Sequence, residues 1–396
     1  MRFERLIEQF AERFGQRDMI FVSAPGRTEI GGNHTDHQHG CVLAAAVQLD
    51  CVFCAARNDE NVIRIESGEY PPVFVDLNNL DAGSLANGSE KLAGGVAHYL
   101  RGLGHAVGGF DAFAHSEVLD GSGLSSSASF EVAVGRTFSA LYNNNKISPL
   151  EMARAGQFAE NHFLLKPSGL MDQLASASGG LVFIDFADPA APIIKNLNTD
   201  LTCFGHKLCI TDTKGSHAGL NSDYAGIPEE MHAVAEMFGA AVLRDVDESR
   251  VLANIRKIRD TLGDRALLRA LHFFAENRRA REETEALERG DFAAFLSLVN
   301  QSGGSSFMYL QNAYSISNPQ NQGIPIGLEA SGRVLKGRGA SRVHGGGFAG
   351  TIQAFVPDET AEEYRRTLDG IFGEGACQVL QVRAEGAALC SAAEYK

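Results

Sequence analysis

GSGLSSSAS, residues 121–129, runs without a break into FEVAVGRTFSALYN, residues 130–143. Two glycines let the backbone approach a ligand closely. Small hydroxyl residues follow, and then a segment with helical period begins. The unpaired N–H groups and positive dipole end of such a helix point at whatever the loop encloses. That arrangement predicts a phosphate cradle built from Gly121, Ser122, Gly123, Leu124, Ser125, Ser126 and Ser127. The alternative is a Ser-rich helix cap, but a cap needs one Ser, and here four occur in five residues. The loop is not of the GxxxxGK[ST] type, which the chain lacks.

Around this loop the chain reads as an α+β protein. The 396 residues exceed one ordinary core and predict two domains. Hydrophobic residues make up 44% and charged residues 21%, which suits a folded protein. The formal net charge of −14, with no Lys/Arg-rich block, argues against nucleic acid or a membrane surface as partner. MRFERLIEQFAERFG, residues 1–15, places Leu6, Ile7, Phe10 and Phe14 on one helical face and has no signal-peptide character. No apolar run reaches membrane-spanning length.

Strands are expected at 19–22, 42–55, 62–66, 73–76, 110–118 and 180–186, with helices at 91–103, about 149–164 and from about 168. The Pro/Ala/Asn-rich stretch ADPAAPIIKNLNTD at 187–200 marks a domain boundary, giving lobes 1–193 and 194–396. The second lobe reads as strand 207–212, long helices at 221–240, 248–259, 264–289 and 292–302, strand 351–356, helix 359–372 and strand 377–384.

Two motifs resemble sites but are read otherwise. Cys51-Val-Phe-Cys54 lies in the apolar run VQLDCVFCAA, with no second Cys pair at zinc-ribbon spacing, and is expected to be core strand. The seven cysteines are expected as reduced thiols, as in a cytoplasmic protein. GGGFAG at 345–350 matches GxGxxG but precedes TIQAFV, which alternates as a strand, whereas a dinucleotide fingerprint opens a helix. NHTDHQHG, residues 33–40, gathers three histidines and an aspartate. It reads as a metal cluster or, nearer to Arg27, as the polar rim of a pocket that pairs sugar hydroxyls.

APGR…GGNHTDH, GSGLSSSAS and VHGGGFAG occur in the order that characterises the GHMP small-molecule kinases, and the first resembles the galactokinase signature GRxNxIGEHTDY. AENHFLLKPSGLMDQLAS (159–176) resembles the segment holding the catalytic carboxylate, and Ser222-Asp223-Tyr224 the sugar-contacting Tyr segment. The resemblance implies a two-lobed fold, a ribosomal-S5-like N-terminal lobe and a ferredoxin-like C-terminal lobe, with the active site in the cleft. It further implies Asp172 as base or orienter of the anomeric hydroxyl, with Arg27 beside it. Ser127 and Glu160 would hold Mg²⁺, and the loop at 121–127 would wrap ATP. Asn33, His34, Asp36, Gly169 and Tyr224 would contact the sugar, and Gly346 and Gly347 would shape the junction between sugar and nucleotide. The implied partners are a sugar and ATP, and a monomer is expected with a dimer left open.

Four residues depart from the family pattern. Asn33 stands where Glu is usual, His37 where Tyr is, Glu29 where Asn is, and His344 where Thr is. In galactokinases the Glu replaced by Asn33 meets the 6-hydroxyl end of the sugar. The expected acceptor is galactose. Asn33 leaves room for galacturonate, as does the likeness of HTDHQ to the HxDHQ of plant galacturonokinases. A sugar sensor without turnover is the reading from another class.

Overall fold

The computed structural model describes residues 2–68, 70–118, 123–166, 168–216 and 219–390. The first sheet is organised by two long strands, β1 (Ile20–Gly31) and β2 (Cys41–Arg57), which pair antiparallel. β3 (Val62–Ser67), β4 (Val73–Asp76) and β5 (Phe110–Ser116) extend it beyond one end of β2. β6 (Leu181–Asp185) and β7 (Ile193–Leu197) extend it from the other end.

The strict alternation of a strand explains what covers each face of β2. Val52, Cys54 and Ala56 point to α1 (Arg2–Phe14), which buries Phe3, Leu6 and Phe10 there. Cys51, Phe53 and Ala55 point the other way, into a core shared with α2 (Gly88–Gly102), α3 (Ser126–Tyr142) and α4 (Pro149–Phe158). Cys51 and Cys54 are therefore core residues on opposite faces, and burial pushes both thiols up to about 12. All seven cysteines are free. α5 (Met171–Ser178) packs against β1, β2 and β6.

The second sheet contains β8 (His206–Asp212), β9 (Ala340–His344), β10 (Thr351–Pro357) and β11 (Cys377–Leu380), in the order β11-β8-β10-β9. Helices α6 (Asn221–Glu236), α7 (Glu248–Ala253), α8 (Ile255–Leu262), α9 (Asp264–Glu288), α10 (Phe292–Ser305) and α11 (Gly323–Leu335) lie between β8 and β9 in the chain. α12 (Ala361–Phe372) lies between β10 and β11. One helical crossover on each side of a β9–β10 hairpin, with that antiparallel strand order, is the ferredoxin-like arrangement. One face of this sheet buries Cys209, Val343, Ile352 and Ala354 under α11 and α12. The other turns Leu208, Ile210 and Phe355 toward Ile30, Leu43 and Leu181 of the first sheet. Each fully buried apolar side chain contributes about 1.5–3 kcal/mol, so the apolar layer between the two sheets holds them together.

Two sequence expectations change. The stretch at 24–31, expected as a glycine-rich loop, continues β1, with register shifts between Pro25 and Arg27 and between Glu29 and Gly31. The boundary at 193/194 falls on the first residues of β7, which pairs with β6 in the first sheet. A last strand, β12 (Ala388–Cys390), also returns to pair with β1. Pro and Asn in the 187–200 stretch mark a turn between β6 and β7 as well as the change of sheet. GGGFAG closes the β9–β10 hairpin and opens no helix, as the alternation of TIQAFV requires.

Candidate active site

The bulge before Arg27 on β1 aims its guanidinium at the first turn of α5. There Nε and Nη2 each donate to one oxygen of Asp172, both at 2.7 Å. Nη1 donates to the Gly123 carbonyl at 2.6 Å, and the Arg27 backbone N–H to the Leu124 carbonyl at 2.9 Å. The glycine loop is thus fastened to the Arg27–Asp172 pair. Ser125 completes the join by donating its hydroxyl to Asp172 Oδ2 at 2.8 Å. Burial opposes ionisation of Asp172, but the charge and hydrogen bonds of Arg27, with Ser125, hold its carboxyl below the usual range. Burial likewise opposes the Arg27 charge, and Asp172 outweighs it.

Ser125 is held at φ +64°, in the left-handed region rare for side chains other than Gly, and makes no cap bond to α3. The hydroxyls of this segment therefore do not serve as a simple cap. Ser127 donates to Glu160 Oε1 at 2.9 Å, and Ser129 turns back to its own helix, onto the Ser126 carbonyl. Gly123 and Ser125–Ser127 lead into α3, whose first N–H groups have no partner within the helix. The Leu124 side chain is buried in the apolar layer between the sheets, so only its backbone faces the loop. Gly121 and Ser122 lie outside the described residues.

Glu160 is carried by a π-helical turn, Ala159–Leu164, that continues α4. Its Oε1 also accepts from Lys166 Nζ at 2.8 Å and its Oε2 from Gln173 Nε2 at 3.2 Å. Gln173 donates as well to Glu131 Oε2 at 3.0 Å. Burial, then the charge of Glu160, pushes the Glu131 carboxyl well above its usual range. Sequence reading did not single out Lys166, Gln173 or Glu131. The signals were present: Gln173 follows Asp172, and Glu131 lies four residues after Ser127, on the same face of α3.

A cavity of about 250 Å³ opens beside Ser126 and Ser127. Ile65, Val73, Leu92, Phe130 and Leu164 give it apolar walls, and Tyr70 stands at its edge. Its lining comes from six separated chain segments, so no local motif announces it.

The residues expected to contact a sugar fall into two groups. Asp36 lies against Gly169, whose missing Cβ leaves the space that the Asp36 carboxyl occupies. Burial, reinforced by the charge of Asp172, raises Asp36 to about 6. His34 places Nε2 3.0 Å from the Gly346 carbonyl, and burial lowers its pKa. Tyr224 donates its hydroxyl to the Gly347 carbonyl at 2.8 Å and stands edge-on to Phe348. Gly346 packs beneath the Tyr224 ring. The structure therefore brings His34, Tyr224, Gly346 and Gly347 together, and Asp36, Gly169 and Asp172 together.

Asn33 is placed differently from its expected position on the pocket rim. It is fully buried, and its Nδ2 donates to Glu29 Oε1 at 2.9 Å and to the Gly345 carbonyl at 2.7 Å. Both of its N–H bonds are spent inward, so no donor remains for a sugar. The metal reading of 33–40 also finds no support. Among the described residues no three His, Cys, Asp or Glu side chains converge as a metal site. His37 instead sets its ring edge-on to His34 at 5.6 Å.

A family model described as the galactokinase galactose-binding signature matches residues 8–57, and one described as the GHMP kinases N terminal domain matches residues 91–180. Among solved structures the chain resembles Lactococcus lactis galactokinase complexed with galactose. The TM-score is 0.83 at 23% identity, covering 98% of this chain and 100% of that one. It also resembles Methanococcus jannaschii mevalonate kinase, with TM-score 0.63, 14% identity and coverage of 93% and 99%. Streptococcus pneumoniae phosphomevalonate kinase in complex with phosphomevalonate and AMPPNP gives 0.64, 13%, 94% and 100%. At these identities the structural likeness establishes the fold.

Proposed function

Because the chain belongs to the GHMP kinase superfamily, in its galactokinase branch, we propose that it is an ATP-dependent sugar 1-kinase. Its acceptor is galactose, and its products are galactose 1-phosphate and ADP. The observation that carries this reading is the Asp172 carboxylate, held by two hydrogen bonds from Arg27 and one from Ser125. It ties the catalytic pair to the segment that faces the phosphates.

Phosphoryl transfer asks chiefly for alignment and charge neutralisation. The N-terminus of α3 and Ser125–Ser127 receive the phosphates, and the neighbouring 250 Å³ cavity suits the nucleobase. The anomeric hydroxyl lies against Asp172 and attacks in line. Asp172 is a weak base because Arg27 stabilises its ionised form, so it takes the proton as the new P–O bond forms. Arg27 offsets charge on the moving phosphoryl group.

Ser127 and Glu160 fit Mg²⁺: their oxygens are 2.9 Å apart, and a hard cation takes one or two such donors together with phosphate and water. When bound, the ion neutralises phosphate charge. Gln173 fixes the far oxygen of Glu160.

His34, Asp36 and Tyr224 read the sugar hydroxyls. The galacturonate alternative needed a free amide at Asn33, and both of its N–H bonds are engaged inward. No helix among the described residues is long and apolar enough to cross a membrane. The test is ADP release over a panel of galactose, glucose, N-acetylgalactosamine, arabinose, galacturonate and glucuronate, with Mg²⁺ present. Saturable galactose binding without ADP release would replace the kinase with a sensor.

A further inference from the structure

We propose that Glu29, Asn33 and Arg342 act as one positioning unit that sets the Gly345–Gly347 turn against the sugar-reading lip, and that positions 29 and 33 have exchanged side chains to form it. This deepens the kinase reading and rests on it for the identity of the ligand.

Two independent observations meet here. Relative to the signature GRxNxIGEHTDY, this chain has Glu29 where Asn is usual and Asn33 where Glu is usual. Taken singly, these are two unrelated departures. In the structure the same two side chains touch, with Asn33 Nδ2 donating to Glu29 Oε1 at 2.9 Å. One carboxylate and one amide are kept, with their places traded.

The surroundings show why one change requires the other. Arg342 is fully buried on β9, and its Nη2 donates to Glu29 Oε1 at 2.5 Å. Its Nη1 holds the Ile30 carbonyl at 2.6 Å. Position 33 faces carbonyl oxygens instead. Its Nδ2 meets the Gly345 carbonyl at 2.7 Å, and its Oδ1 accepts from Asn312 Nδ2 at 2.9 Å. Asn312 Nδ2 also reaches the Gly346 carbonyl at 3.2 Å. A carboxylate at 33 would confront both the Gly345 oxygen and Glu29. An amide at 29 alone would strip Arg342 of its nearest counter-charge, which is costly for a buried ion. A third departure joins the same unit: His344 Nε2 accepts from the Glu29 N–H at 3.3 Å. The turn pinned by Asn33 is the one that carries the His34 and Tyr224 contacts, at the Gly346 and Gly347 carbonyls. Positioning by this unit therefore reaches the sugar directly, through the Gly345–Gly347 turn, and the nucleotide loop only through His344, which lies against Gly123.

The test is a double-mutant cycle of Glu29→Asn, Asn33→Glu and the double exchange, read by thermal unfolding and by steady-state kinetics. Each single variant is expected to melt several degrees lower. Each should also raise the galactose KM about tenfold, the worth of a buried hydrogen bond to a charged group. The ATP KM should stay within about twofold. The double exchange should recover more than half of both losses. Losses that simply add, or sugar and ATP KM values that rise together, overturn the proposal. Where neither single variant folds, Glu29→Gln decides. It keeps an acceptor for Asn33 and removes the charge facing Arg342, so it should fold with a raised galactose KM. An unchanged galactose KM in that variant overturns the proposal. Should the wild-type protein phosphorylate no sugar, the kinase reading fails by itself, while the unfolding cycle still reads the coupling of positions 29 and 33.

Discussion

Asp172 accepts three hydrogen bonds, from two partners. Two from Arg27 set its charge, and one from Ser125 sets its position relative to the phosphate loop. Asp172→Asn keeps the size and removes the proton acceptor, so kcat should fall by about 10²–10⁴. Sugar and nucleotide binding, measured by calorimetry, should persist. Asp36 behaves oppositely. Its folded-state pKa is raised to about 6 from 3.8, so the folded protein holds a proton that the unfolded chain has released between those values. Its contribution to stability is full below about pH 4 and is lost as the pH rises through 6. Asp36→Asn should therefore flatten part of the fall in melting temperature between pH 4 and 6 in the ligand-free protein. An unchanged difference between the two proteins across that window would contradict the assignment. Arg27, Asp36, Gly169 and Asp172 were legible as a group because the motifs that carry them are continuous in sequence. The inward turn of Asn33 was not. It depends on Arg342 and Gly345, more than 300 residues away in the chain.

At the scale of elements, the β9–β10 hairpin turn has a strict requirement. Gly347 has φ +77°, and a Cβ there would run into the Asn312 backbone carbonyl. Gly347→Ala combines left-handed strain with that clash, on the order of 1–3 kcal/mol for the strain alone. It should displace the carbonyl to which Tyr224 donates. Galactose KM should rise several-fold in steady-state assays with ATP KM unchanged. Most helices were legible from period and turn residues, and β10 from the alternation after GGGFAG, whereas α11 and β9, the other half of the hairpin, were not expected. β1 was cut short because Gly26, Pro25 and Gly31 are turn residues by local rule, yet antiparallel pairing with Ala44–Asp50 keeps them in the strand. The π-helical turn under Glu160 has no pattern that distinguishes it from α-helix.

Across the whole molecule, the two halves meet through apolar side chains and a set of buried polar contacts, among them one from a fully buried cation. Arg342, from the second sheet, donates to Glu29 of the first, and the charges of Glu276 and Glu283 also act on it. Arg342→Met would remove the guanidinium that donates to Glu29, while Glu276 keeps its pair with Arg279. The substitution should cost on the order of 3–5 kcal/mol in urea unfolding, far more than loss of an exposed pair such as Arg333–Glu329. Length and the break in composition near 187–200 were read as a division in two; the structure has two sheets, and that break lies at the last strand before the chain enters the second. The membership of β7 and β12 was not legible, because a sheet recruits strands by edge pairing, which leaves no local mark.

β12 has a consequence for how the protein is made. Residues 388–390 close the edge of a sheet whose first strand starts at residue 20. On the ribosome that edge stays open until residues 388–390 have emerged. Until then Phe21–Ser23 are paired on their β2 side alone, so the nascent first sheet keeps an open edge while every strand of the second sheet is made.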